Sequence, residues 1–153
     1  MTMKSLKHAL VSIVVALGVT SATLSAQQPA VCIPLRDDEK TPETYSATLW
    51  FKERKTRSFI HGVVRYESSN GDPQEDVFVE VFDQRPANSE DRKRVAGCRT
   101  EATGRFEFTG LGKGDYLVRL SKAGGYQLTE ILVSVSPRSK NRSPINAFIE
   151  VGH

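Results

Sequence analysis

From residue 58 onward the chain alternates apolar and polar positions in short stretches separated by glycine, proline and charged corners. Residues 104–126 show it most clearly. Phe106 and Phe108 fall on one side of one stretch, Tyr116, Val118 and Leu120 on one side of the next, and Gly110, Gly112, Gly114 and Gly125 stand at the corners. A period of two is that of a strand with one face buried, and glycine supplies the backbone freedom that tight turns need. The same reading predicts strands near 58–66, 76–83, 94–101, 104–109, 114–121, 127–136 and 145–151. Tyr45 to Phe51 adds a further candidate strand, with Tyr45, Ala47, Leu49 and Phe51 on one side and Trp50 on the other. No long stretch after residue 26 carries apolar positions at helical spacing. A single turn capped by Asn88 or Ser89 is the most that the sequence allows. Short strands with turn chemistry between them predict an all-β fold, an antiparallel sandwich of about seven strands.

The ends of the chain set a context for that sandwich. Lys4 and Lys7 precede the apolar run Ala9 to Val19, and small residues follow up to Ala26. That order predicts a secretory signal peptide over residues 1–26, cut after Ala26. Its apolar run is shorter than the roughly 20 residues needed to cross a bilayer, so the processed chain is expected not to span a membrane. The protein is therefore expected to be secreted or periplasmic. Residues 27–57 carry Pro29, Pro34 and Pro42 around Arg36 to Lys40, which reads as an irregular, proline-rich arm with the extra strand at its end. Residues 58–151 form the sandwich domain.

Export also gives meaning to the 2 cysteines. Cys32 in the arm and Cys98 in a strand are expected to form a disulfide that pins the arm to the sandwich. The formal charge of +3, from 21 Lys and Arg against 18 Asp and Glu, shrinks once Lys4 and Lys7 leave with the signal. So near neutrality gives no electrostatic support to a nucleic-acid partner. Two basic runs remain, Lys52 to Arg57 and Arg92 to Arg94 with Arg99. They read as solvated edges that discourage strand-to-strand aggregation, or as a contact for a surface polysaccharide or an acidic protein.

Catalytic inventory is thin. The chain has no Gly-x-Ser-x-Gly, His-Glu-x-x-His, Cys-x-x-Cys or phosphate-cradling glycine loop. Cys98 with His61 is the one conceivable nucleophile and base pair, although His61 on an alternating strand reads as a surface residue. Asp37, Asp38 and Glu39, and Asp72 with Glu75 and Asp76, offer oxygens but no calcium-loop spacing. No metal or cofactor is expected.

The spacing Gly104-x-Phe106-x-Phe108, then Leu111, then Gly114-x-Tyr116-x-Val118, followed by Gly125-Tyr126, resembles the carboxypeptidase regulatory-like domain. Ile60 to Val64, the Gly71-Asp72-Pro73 turn, Val77, Val79 and Val81, the Thr100 to Gly104 turn, and Ile131, Val133 and Val135 extend the likeness over residues 58–136. The resemblance implies a transthyretin-like (prealbumin-like) sandwich related to immunoglobulin-like folds, and leaves function open. The hydroxyisourate hydrolases of similar fold end in Tyr-Arg-Gly-Ser, where this chain has Ile149-Glu150-Val151-Gly152-His153, so that activity is not implied. Collagen-binding B-type repeats carry a lysine–asparagine isopeptide bond promoted by a glutamate. Lys52 and Asn146 invite the comparison, but Leu120 stands where the acid belongs.

These readings converge on a non-enzymatic binding or structural module with an envelope or extracellular protein as partner. The alternative is a carbohydrate-binding module of starch-binding-like fold, using aromatics among Trp50, Tyr66, Tyr126 and Phe148.

Overall fold

The computed structural model describes residues 31–42, 44–84 and 92–152. The expected signal peptide and the candidate turn at Asn88 and Ser89 lie outside them. Within them the fold is all-β, with β1 (Ile33–Pro34), β2 (Tyr45–Lys52), β3 (Ile60–Tyr66), β4 (Phe78–Asp83), β5 (Arg94–Arg99), β6 (Arg105–Phe108), β7 (Gly114–Ser121), β8 (Gln127–Val135) and β9 (Ile145–Ile149). Two sheets pack face to face. One has six strands in the order β1-β5-β4-β7-β8-β2, the other three in the order β6-β3-β9.

The sandwich agrees with the sequence pattern, with two corrections. Both β1 and β2 belong to the large sheet, so the strand number exceeds seven and the arm is not irregular throughout. The sheets are also mixed, because β2 runs parallel to β8 and β3 runs parallel to β9. Alternation reports which face a residue occupies and carries no information on strand direction, which depends on how the chain crosses between strands.

Face assignments hold. Val79 and Val81, Tyr116, Val118 and Leu120, and Ile131, Val133 and Val135 line the inner face of the large sheet. Opposite them lie Ile60, Val64, Phe106, Phe108, Ile145, Ala147 and Ile149, all buried, with Phe106 only 1% exposed. Burying a ring of that size contributes on the order of 2–3 kcal/mol. Gly104 makes the turn into β6 with φ +65°, and a Cβ there would lie 2.6 Å from the Val64 carbonyl oxygen.

The arm is a strap. Since β1 and β2 occupy opposite edges of the large sheet, the chain between them has to cross its outer face. Residues 35–44 reach about 33 Å when extended, against about 24 Å across the intervening strand spacings. Leu35 N–H donates to the Gly97 carbonyl (3.0 Å) and its side chain sits over Gly97, where a Cβ would meet Leu35 Cδ1 at 3.0 Å. Arg94 donates to the Arg36 and Glu39 carbonyls and to Glu80 at 2.6, 3.2 and 3.1 Å, and Thr41 Oγ1 donates to Glu80 at 2.8 Å. Glu80 is only 2% exposed, so its charge is tolerated because Arg94 and Thr41 satisfy it. Arg119 and Glu130 extend the polar row across the sheet at 2.7 Å. The disulfide between Cys32 and Cys98, with 5.8 Å between the Cα atoms, anchors the start of the strap as the sequence predicts.

A candidate binding edge

The large sheet ends on β2, which has β8 on one side and, among the described residues, no strand on the other. Glu53 N–H donates to the Leu132 carbonyl at 2.9 Å. In a parallel pair alternate residues of a strand bond the same neighbour, so Thr48, Trp50 and Lys52 turn their N–H and C=O to the open side.

Trp50 is 59% exposed and Phe51 37%. The other exposed large apolar residues among those described are Ile33 and Val95, at the opposite edge. Alternation puts the two rings on different sides of β2. Phe51 turns toward the small sheet and meets Phe148 of β9 edge-to-face, with ring centroids 4.9 Å apart and planes at 67°. Between the strands lies an open cleft of about 440 Å³, walled by these two rings, Asn146, Lys52, Arg54 and Lys55. The three cations are exposed and have no acidic partner among the described residues.

Sequence reasoning grouped these cations with Arg57, and here the structure corrects it. Arg57 is buried, pairs with Glu53 at 2.5 Å and donates to the Ser143 carbonyl, so it braces the edge from within. In the second basic run, Arg94 is held beneath the strap and Arg99 lies 3.7 Å from Asp76.

The proposed aromatics do not make one platform. Trp50 and Phe148 lie at this edge of the molecule on different sheets, and Phe148 is turned against Phe51. Tyr66 and Tyr126 form a separate pair, 6.4 Å apart and at 83°, with Lys122 Nζ 5.3 Å from the Tyr126 ring. Hydrogen bonding to the Glu67 carboxylate, first, then desolvation and nearby negative charge, raise the Tyr66 phenol above its ordinary value. A flat sugar-stacking surface needs coplanar rings, and neither pair supplies one.

The remaining candidates are engaged elsewhere. Cys98 is bonded to Cys32, and His61 Nε2–H donates to the Arg142 carbonyl at 2.8 Å while its ring stacks on Phe59, so the two do not form a nucleophile and base pair. Lys52 and Asn146 do line the same cleft, both exposed, and the carboxylate beside them, Glu53, is taken by Arg57. Among the described residues no three His, Cys, Asp or Glu converge as a metal site, and no helix is long and apolar enough to cross a membrane. A second cleft, of about 540 Å³, opens between β5 and β6, and the disulfide and Leu35 form its wall. Phe51 is the site residue that the sequence did not single out, because an inward position on an edge strand still meets solvent where the opposing sheet ends.

Comparison with family models, characterised proteins and solved structures finds no match.

Proposed function

We propose that the chain is an exported, non-catalytic sandwich module that holds a protein partner in the cell envelope or outside the cell. The observation that carries this reading is the β2 edge, where open backbone groups, an exposed tryptophan and a basic cleft coincide. Sheet edges of this kind accept an added strand, with main-chain bonds supplying affinity and side-chain pockets supplying selectivity. The order of residues 1–26 supports export. Carbohydrate binding is the second reading. The exposed Trp50 ring favours it, and the crossed planes of the aromatic pairs weigh against it.

A photo-crosslinking residue at Thr48 on β2, compared with one at Glu107 on β6, tests the reading in native envelope material. A discrete protein adduct from position 48 alone, competed by unmodified protein, is the expected result. Equal adducts from both positions, or none, would overturn it. Saturable binding on a glycan array, lost in a folded Trp50→Ala variant, would replace it with the carbohydrate reading. Turnover of an ester, peptide or ureide, abolished by His61→Ala in a folded protein, would remove both.

A further inference from the structure

Exposed positive charge gathers where the chain leaves β2 and β8. Segment 52–58, which leaves β2, is laced to segment 136–144, which leaves β8. Arg57 N–H donates to the Ser134 carbonyl and Ser136 N–H to the Arg57 carbonyl, at 2.9 and 2.8 Å. Ser58 N–H reaches the Asn141 carbonyl at 3.0 Å, and Ser139 Oγ and Asn141 Nδ2 reach the Thr56 carbonyl at 3.0 and 3.3 Å. The lacing brings Lys52, Arg54 and Lys55 to the same end as Arg138, Lys140 and Arg142, all of them exposed. Glu53, the one carboxylate in the two segments, is neutralised by Arg57. Such a cluster acts as one field over about 10 Å at ordinary salt.

The cleft beside it selects among anions. A polysaccharide lacks a coplanar ring pair to stack on, as shown above. A lipid surface would bury the open N–H and C=O groups of Trp50 and Lys52 without partners, at a cost of several kcal/mol each in hydrocarbon. An extended peptide satisfies those groups and brings side chains that alternate between two faces. We infer that the β2 edge takes an extended, acidic segment of another protein as an added strand, with an apolar side chain packed in the cleft against the Phe51–Phe148 pair and carboxylates against Lys52, Arg54 and Lys55. This rests on the binding-module reading and names the partner of that same edge.

Trp50, the 1 tryptophan in the chain, reports on the edge directly. The native, disulfide-bonded protein is titrated with a peptide of about nine residues alternating valine and glutamate, with its valine–lysine counterpart, with a sulfated oligosaccharide, and with phosphatidylglycerol vesicles. The valine–glutamate peptide is expected to shift Trp50 emission to the blue saturably, and more weakly as salt rises, while the lysine peptide does nothing. Arg54→Glu with Lys55→Glu should weaken binding about tenfold or more. Lys52→Pro, which removes an N–H that its own sheet does not use, should abolish binding in a folded protein, whereas Lys52→Ala should retain most of it. A silent acidic peptide, equal binding of the lysine peptide, or equal affinity of Lys52→Pro and Lys52→Ala would overturn the inference. A response to vesicles alone overturns the strand and leaves the module reading standing, whereas a response to oligosaccharide alone overturns the strand and favours the carbohydrate reading. Substrate turnover, by contrast, defeats the module reading itself.

Discussion

The two edges of the large sheet are treated differently. At one edge, β1 is a two-residue strand that includes Pro34, which has no N–H to offer. It is stapled to β5 through Cys32 and Cys98, and the residues after it turn onto the outer face as a strap. At the other edge, β2 runs for eight residues with exposed Trp50 and Phe51 and, among the described residues, no strand to pair the outward backbone groups of Thr48, Trp50 and Lys52. Long open edges invite unwanted pairing, and folded proteins blunt them with short strands, proline, covering loops or charge. The β1 edge uses two of these devices, a two-residue strand and a proline, and the β2 edge keeps only the lysines and arginine at its exit. Ile33 and Val95 remain exposed at the β1 edge, so the two edges differ in the backbone they offer more than in the apolar surface they show.

The comparison assumes one core beneath both edges, so its largest test is Phe106→Ala. Loss of about 3–5 kcal/mol by urea denaturation is expected, with both edges unfolding together. A loss below about 1 kcal/mol would mean that the edges do not share that core. Next, Cys32→Ser with Cys98→Ser should cost up to about 4 kcal/mol, the chain-entropy limit for a cross-link over this separation. Hydrogen exchange should then rise over residues 33–42 while Trp50 emission stays constant. Equal exchange in β2 would show that the two edges are not independently secured. The smallest effect is Trp50→Ala, which should change stability by no more than about 0.5 kcal/mol. A loss comparable with that of the disulfide variant would place the indole in a packed interior and close the open edge.

Much of the fold is visible in local patterning. The phase of Phe106, Phe108, Tyr116, Val118 and Leu120 follows from alternation, and all five are buried. The pairing of Cys32 with Cys98 follows from there being no other cysteine in the chain. The site was legible only in pieces. Trp50 stood out as the residue on the wrong side of an otherwise apolar strand, yet nothing adjacent to it in sequence shows that Phe148 will lean on Phe51. Arg57 looked like its neighbours in the basic run, and only the bonds to Glu53 and Ser143 reveal that it is internal.

The sequence by itself determined which residues form strands, which of their faces turn inward, and which two sulfur atoms can meet, because period-two alternation and cysteine count are local or exhaustive properties. Tertiary structure decided that β2 lies beside β8 in parallel, that residues 35–42 cross the outer face, and that Lys55 and Lys140 belong to one basic end. Those relations join segments far apart in the chain. They depend on which sheet faces are left to cover and which backbone groups are left to satisfy once the core has closed, and alternation within a single strand carries neither.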